Sequence, residues 1–166
     1  FEIYNNLGNV FKDKGDLNKA LKFYDKSISL NQNNPEAYYN KGTILHENKE
    51  YIDSIKNFEK ALSLNKNANY LFGRINHAKM FLCDWKDYNN FTEKLIEGIN
   101  NKTILIDPFI LLSFVDDPTL QKTNAENYID DNINNSLENK HVLKKTKKGK
   151  IKIGYYSADY HNHPVL

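Results

Sequence analysis

The stretch GNVFKDKGDLNKALKFYDKSISL, residues 8–30, decides the fold of this 166-residue chain. Its apolar side chains at Leu17, Leu21, Tyr24 and Ile28 keep the three-and-four spacing of an amphipathic helix. A helix of this kind needs a partner to cover its apolar face. The stretch therefore predicts the second helix of a helix–turn–helix hairpin.

The hairpin pattern recurs 34 positions later in the chain. Gly8 and Tyr24 correspond to Gly42 and Phe58. Small residues let paired helices approach closely, and aromatic rings fill the space between them. Residues 33–35, Asn-Asn-Pro, separate the two hairpins, because proline is tolerated in a first helical turn. A helix–turn–helix period of 34 residues is that of the tetratricopeptide repeat, so the sequence predicts a mainly α chain built as an α-solenoid.

A third, degenerate hairpin is predicted to follow. Tyr70–Leu82 would form its first helix and Trp85–Ile99 its second, with Asn76 in place of the repeated glycine. A degenerate repeat at the end of an array usually caps it or joins it to another element. We assign residues 1–100 to the repeats. Because two clear repeats are fewer than the three normally needed for stability, we expect a fragment of a longer array.

The apolar pattern changes after residue 100. Ile104–Val115 predicts a short buried segment with a proline inside it. Asp117-Pro118 is typical of a helix start, and the predicted helix extends to about Leu137. Its apolar face would contain Leu120, Ala125, Tyr128, Ile129, Ile133 and Leu137. Residues 101–149 are thus predicted to be a helical connector followed by a basic linker.

The last part of the chain has a different composition. Residues 140–152 carry seven lysines and no acidic residue, and residues 151–156, Ile-Lys-Ile-Gly-Tyr-Tyr, are rich in β-formers. A strand needs partners, and none follows before Leu166. Residues 150–166 are therefore predicted to be the start of a truncated α/β domain.

Three segments, in order, resemble the O-linked N-acetylglucosaminyltransferases. They are FLCDWKDY at residues 81–88, the Asp-Pro-Phe to Asp-Pro-Thr-Leu-Gln linker at residues 107–121, and KIKIGYYSADYHNHP at residues 150–164. That family joins tetratricopeptide repeats to a two-lobed glycosyltransferase domain of the GT-B type. The resemblance therefore implies that the predicted strand is the first β-strand of an α/β GT-B lobe.

The resemblance also implies an activity for the parent protein. Enzymes of this family transfer GlcNAc from the donor UDP-GlcNAc to Ser or Thr of protein acceptors, without a catalytic metal or a cofactor, in the cytoplasm. The repeats would recognise protein or peptide acceptors on their concave surface. The fragment itself should be inactive, because the UDP-binding lobe is not within it. The alternative is a non-enzymatic tetratricopeptide protein-interaction scaffold.

His163 matches the motif histidine that is proposed as a catalytic base in this family. Imidazole titrates near neutral pH and can accept the proton of an attacking hydroxyl. A structural histidine is the alternative. Asp159, His161 and His163 could also form a metal triplet, but residues 162–164, Asn-His-Pro, are typical of a turn, so no metal site is predicted.

Asn6 and Asn40 occupy equivalent places, each two residues before the glycine of its repeat. In the family that the chain resembles, the matching asparagine lines the concave surface and holds the acceptor peptide. An amide can do this because it both donates and accepts hydrogen bonds. The alternative is that both asparagines are merely solvated. In the third repeat, Arg74 stands at this position.

Composition excludes several other classes. The formal net charge is only +2, which gives no general attraction to nucleic acid, and neither a nucleic-acid nor a membrane partner is predicted. The chain has one cysteine, Cys83, so an internal disulfide is impossible. We expect Cys83 to be a small buried group rather than a nucleophile.

Overall fold

The computed structural model describes residues 1–66, 68 and 70–131, which belong to one compact unit, Phe1–Ser136. All regular structure within this part of the chain is helical. The predicted strand at 151–156, the basic linker and the start of the predicted α/β domain lie outside the described residues. The helices, in chain order, are α1 (Glu2–Asp13), α2 (Leu17–Leu30), α3 (Pro35–Glu47), α4 (Tyr51–Leu64), α5 (Tyr70–Phe81), α6 (Tyr88–Asn100), α7 (Pro108–Leu111) and α8 (Pro118–Ile129).

The first four helices form two hairpins, each closed by a glycine facing a ring. Tyr24 of α2 packs on Gly8 of α1, and Phe58 of α4 packs on Gly42 of α3. Both rings are fully buried. A methyl group added at Gly42 would lie 2.8 Å from two ring carbons of Phe58, closer than carbon atoms can pack. The predicted contact between small residues and rings is confirmed.

Each of the three first helices ends in the same left-handed turn. Gly15, Lys49 and Cys83, spaced 34 residues apart, have φ angles of 77°, 65° and 54°. In every case the backbone N–H of this residue donates to the carbonyl three residues earlier, and the next N–H donates to the carbonyl five residues before it. This arrangement satisfies the last carbonyls of the helix. The third repeat therefore keeps the register of the first two at this turn.

The position of Cys83 corrects one expectation. Cys83 is exposed rather than buried. The turn explains the difference, because a left-handed residue just beyond a helix end lies where the chain reverses at the surface.

The third hairpin is open. Phe72 of α5 contacts Phe91 of α6, with ring centroids 5.1 Å apart. The extended segment after α6 then supplies the side chain that faces a glycine: Ile106 packs on Gly73 of α5. Gly73 lies three residues before Asn76, which stands at the position of the repeated glycine, so this contact differs from the glycine–ring contact of the first two hairpins.

The connector closes this end of the array. Ile106, Leu111, Phe114 and Leu120 are buried and share one core cluster with Phe91, Leu95 and Ile99 of α6. Asp107 and Asp117 accept hydrogen bonds from backbone N–H groups at the starts of α7 and α8, and each is followed by a proline. The segment predicted to be buried, Ile104–Val115, is buried only in part, because the side chain of Phe109 is 84% exposed.

The buried face of α8 matches the predicted apolar one only in part, because Leu120 is buried but other members are not. Ile129, expected in the core, is 50% exposed, whereas Asn124 and Asn127 are buried. Asn124 Nδ2 donates to the carbonyl of Ile106 at 3.0 Å, and Asn127 Nδ2 donates to the carbonyl of Ile99 at 2.9 Å. These hydrogen bonds allow the two amides to be buried, because a buried polar group needs a hydrogen-bond partner.

An aromatic cluster joins α3 to α5. His46 and His77 stack with ring centroids 5.6 Å apart, and the ring of Phe81 packs edge-on against both. Burial lowers the pKa of His46, and the nearby His77 and Arg74 lower it further. Burial also lowers the pKa of His77, with Arg74 acting in the same direction and Asp107 against it. Both shifts favour the neutral imidazole.

This cluster predicts that acidification destabilises the fold. A histidine whose pKa is lower in the folded state contributes stability above its ordinary pKa of about 6.5 and loses it as the pH falls, because the unfolded chain takes up the proton first. The urea midpoint should therefore drop between pH 7.5 and pH 5.5. A His46→Gln/His77→Gln variant should show a smaller drop, and an equal drop in both proteins would contradict the prediction.

Replacing Gly42 by leucine should overpack the contact with Phe58 at a cost of about 1–3 kcal/mol in the free energy of unfolding. Phe58→Ala alone should cost about 3–5 kcal/mol through the cavity that it leaves. In the double variant the leucine can occupy that cavity, so the combined cost should be less than the sum. Urea denaturation of the four proteins measures this cycle, and strictly additive costs would argue against a direct contact.

Candidate functional site

One surface of the repeats is lined by the first helices. Asn40 of α3 hydrogen bonds to α1, and Tyr70 of α5 packs edge-on against Tyr39 of α3 with ring centroids 5.4 Å apart. The second helices instead pack against the first helix of the following repeat, α2 on α3 and α4 on α5. We call the surface lined by α1, α3 and α5 the inner surface. Side chains of neighbouring repeats meet there directly.

An amide network ties α3 to α1 on the inner surface. Asn40 Nδ2 donates to Asn5 Oδ1 at 3.2 Å and to Asn9 Oδ1 at 3.1 Å. Asn9 Oδ1 also accepts from the hydroxyl of Tyr24 at 2.8 Å, and Asn5 Nδ2 donates to Glu36 at 3.4 Å. Asn5 and Asn40 are 3% and 8% exposed. The network therefore fixes these side chains as part of the interface between two repeats.

Two polar atoms of the network side chains make no hydrogen bond within the network. A side-chain amide has two donor hydrogens, and Asn40 uses both on α1. Asn9 Nδ2 has no acceptor, and Asn40 Oδ1 no donor, among the residues that the structure describes. Asn40 is 8% exposed, and Asn9 is partly exposed. The inner surface thus carries one donor and one acceptor, on neighbouring side chains that are hydrogen bonded to each other.

Asn6 lies in different surroundings from its counterpart one repeat later. It is exposed, and on the same side of α1 Ile3 and Val10 are 75% and 46% exposed. The residues that correspond to Ile3 and Val10 in α3 are Ala37 and Ile44, and both are fully buried. No helix of the described residues covers this face of α1, which is why Asn6 is free of the network.

Sequence reasoning therefore named one member of the network and missed two. The structure does not bring Asn6 and Asn40 together; Asn40 contacts Asn5 and Asn9 instead. Asn5 and Asn9 are four residues apart, so they lie on one face of α1, and that spacing is the signal that could have found them. Peptide binding by Asn6 and Asn40 remains a prediction.

The candidate catalytic residue, His163, lies outside the described residues. Within residues 1–66, 68 and 70–131, no group of three or more histidine, cysteine, aspartate or glutamate side chains could hold a metal ion. In the same part of the chain, every helix is too short or too polar to cross a membrane.

Comparison with known families identifies the repeats. Residues 8–49 match the family model described as TPR repeat, and residues 35–68 match the one described as Tetratricopeptide repeat. The chain contains tetratricopeptide repeats. The matched residues run from α1 to just beyond α4 and stop before the open third hairpin. No curated protein matches the chain. Tetratricopeptide repeats commonly bind protein partners.

The amide network predicts different costs for two equivalent asparagines. Asn40→Ala leaves the buried Asn5 Oδ1 without its donor and should lower the free energy of unfolding by about 1–3 kcal/mol. Asn6→Ala, at the corresponding exposed position, should change it by no more than about 0.5 kcal/mol. Urea denaturation of both variants measures the difference. Equal costs would mean that the network does not contribute to folding.

Proposed function

We propose that the tetratricopeptide repeats bind an extended segment of a partner protein along the inner surface. The observation that carries this proposal is the open donor and acceptor pair, Asn9 Nδ2 and Asn40 Oδ1, on side chains that the network already holds in place. A peptide bond carries one acceptor and one donor of its own. The pair therefore complements the backbone of a bound segment rather than any one side chain.

The side chains of the network are held in one conformation before binding, and this favours binding. Holding a side chain still costs about 0.5–1.5 kcal/mol when an interface forms. The hydrogen bonds from Tyr24 and Asn40 hold Asn9 before a partner arrives. The free energy needed to immobilise this side chain is therefore part of folding and not of binding. Extended segments from many proteins share the same backbone, and such a surface suits a module that serves several partners.

A finer proposal concerns what happens to the bound segment. The three ordered motifs support a parent protein that is an O-GlcNAc transferase-like enzyme, in which the repeats present a protein acceptor to a GT-B domain. UDP-GlcNAc would be the donor, and His163 would accept the proton of the Ser or Thr hydroxyl. A cytoplasmic setting belongs to the same proposal, since it follows from the same resemblance.

A second candidate is a scaffold without enzymatic activity. The family matches support protein binding by the repeats, which this candidate shares with the first, and tetratricopeptide repeats serve as binding surfaces in their own right. Both candidates use the inner surface in the same way. They differ only in whether sugar is transferred to the bound segment.

Binding is tested with peptides selected from a random library displayed on phage against the 166-residue chain. Asn9→Ala should weaken the selected peptides, because the open donor is lost. Asn57→Ala is the matched control: Asn57 is a partly exposed asparagine on α4 whose amide donates to the backbone of its own helix. Methylating one peptide nitrogen at a time should locate the backbone contact. Equal affinities for both variants would contradict binding on the inner surface.

Transfer is tested on the full-length gene product with radiolabelled UDP-GlcNAc and the selected peptides extended by serine. His163→Ala should reduce kcat/KM by at least roughly 10²-fold, the effect typical of a lost acid–base group. Donor affinity and the melting temperature should stay near those of the unmodified protein. Absence of transfer by the unmodified protein would leave the scaffold as the function, and a loss of activity explained by unfolding would remove His163 from the mechanism.

A further inference from the structure

A pocket of about 310 Å³ opens between α5 and the second helices α4 and α6. Its apolar walls come from all three helices: Leu62 of α4, Phe72 and Ile75 of α5, and Phe91 of α6. The exposed side chain of Glu59, on α4, also lines it. None of these residues belongs to the amide network of the first two repeats, so the pocket is separate from the binding surface proposed above.

The equivalent place in the second repeat is occupied by a lysine of the chain itself. Lys41 of α3 and Asp25 of α2 stand 34 residues before Ile75 and Glu59. Lys41 Nζ lies 2.6 Å from Asp25 Oδ1, and the lysine side chain is only 26% exposed. The second repeat therefore holds a lysine stem against its helices and the ammonium group on the carboxylate of the preceding helix.

The third repeat keeps the carboxylate but loses the lysine. Ile75 is shorter than a lysine and has no charge, so it cannot replace the contact that Lys41 makes. Glu59 has no ion pair or hydrogen bond with any residue that the structure describes. The place that Lys41 fills in one repeat is thus an open pocket beside an unpaired carboxylate in the next.

Two further substitutions keep the pocket open and apolar. Asn76 stands at the position of Gly42 and lines the pocket, so α6 cannot approach α5 as closely as α4 approaches α3. Phe91 stands at the position of Asn57, and the centroid of its ring lies 5.1 Å from that of Phe72. The wall formed by α6 is therefore aromatic at a position where that of the second repeat is polar.

The remaining charges of the pocket balance each other. Lys79, Lys94 and Asp87 also line it. Neither lysine forms an ion pair with any described residue, so both leave Glu59 unpaired. With two cations and two anions the pocket has no net charge, and the charge that it selects depends on the group nearest its apolar floor. Glu59 is that group, because its counterpart in the second repeat reaches the side chain at the position of Ile75.

We propose that this pocket binds a lysine side chain of a partner protein. The four-carbon stem would lie against Leu62, Phe72 and Ile75, and the ammonium group would donate to Glu59. A lysine joins an apolar stem to a charged head, which matches apolar walls beside a carboxylate. The contact restores between two proteins the ion pair that the second repeat forms within the chain. A partner bound here leaves the inner surface open, because the two surfaces share no residue.

Methyl signals of the pocket residues provide a direct test on the unmodified 166-residue chain. Leu62 and Ile75 line the pocket, and Ile52 of α4, which is exposed and does not line it, is the internal control. The probes are N-acetyl-lysine N-methylamide and its norleucine and arginine analogues, all at constant ionic strength. The norleucine analogue has the stem without the ammonium group, and the arginine analogue carries a different cation.

We expect a saturable shift of the Leu62 and Ile75 methyl signals with the lysine probe, a smaller one with the arginine probe and the smallest with the norleucine probe, while the Ile52 signal stays in place. Equal shifts with lysine and norleucine would mean that the carboxylate is not used. A larger shift with arginine would mean that the occupant is not lysine. Either result would overturn the proposal, as would the absence of any shift.

Two variants and a matched control locate the ammonium group. Glu59→Gln should weaken binding of the lysine probe roughly tenfold or more, as expected for a lost hydrogen bond between charged groups. Glu93→Gln, at an exposed glutamate of α6 that does not line the pocket, should bind the probe as the unmodified chain does. Ile75→Lys should abolish binding, because the new side chain would pair with Glu59 as Lys41 pairs with Asp25.

The exposed position of Glu59 separates this test from folding. Glu59→Gln replaces one exposed polar side chain by another of the same shape, and the urea midpoint of each variant shows whether it is folded. Equal affinities of the Glu59→Gln and Glu93→Gln variants for the lysine probe would overturn the proposal even if Ile75→Lys does not fold.

Discussion

The close approach of two helices at a glycine is the constraint on which the described structure depends. Gly8 lets the ring of Tyr24 lie directly on α1, and the hydroxyl at the end of that ring then reaches Asn9, the next residue after the glycine. Asn9 in turn accepts from Asn40 of the following repeat. Packing inside one hairpin thus sets the position of a polar group at the boundary between two hairpins.

The same contact explains why the network does not continue. In the second repeat the ring is Phe58, which has no hydroxyl, and the counterpart of Asn9 is Thr43, whose hydroxyl donates to the carbonyl of Tyr39 in its own helix. In the third repeat Asn76 replaces the glycine, and Ile106 from the connector packs on Gly73, three residues earlier. The first two repeats therefore keep the glycine–ring contact and change the polar side chains beside it, and the residue equivalent to Asn40 in the third repeat is Arg74.

Residue spacing predicted the helices better than it predicted their surroundings. The 34-residue period located the first two hairpins, because apolar spacing and glycine positions are local properties of the sequence. It missed the opening of the third hairpin, since the residue that packs on Gly73 lies after α6 rather than within it. The second helix of that hairpin also begins at Tyr88 rather than Trp85. A side chain contributed by a segment outside the repeat does not appear in the residue spacing of the repeat.

The asparagines also show what composition and residue spacing cannot predict. The chain is rich in asparagine, and Asn5, Asn40, Asn124 and Asn127 are buried and hydrogen bonded across elements. Whether an amide is solvated or structural depends here on a carbonyl or a second amide that lies 18 to 35 residues away. Composition cannot reveal that partner. Of the candidate site, sequence supplied Asn40 and the register that identifies Arg74 as its equivalent, whereas the open donor on Asn9 required the fold.

The hairpins at the two ends of the described array are covered by different numbers of neighbouring helices. This difference determines which end unfolds locally at the lower free energy. The hairpin of α5 and α6 is covered by α7 and α8, whereas within the described residues the hairpin of α1 and α2 has a neighbour on one side only. In a linear array a unit with one neighbour opens at the lowest free energy. Hydrogen exchange should therefore be fastest in α1 and slow progressively toward α6. Because Asn9 lies in the least protected unit, a bound segment would slow exchange there first, so occupancy of the inner surface and order at this end of the array are thermodynamically linked.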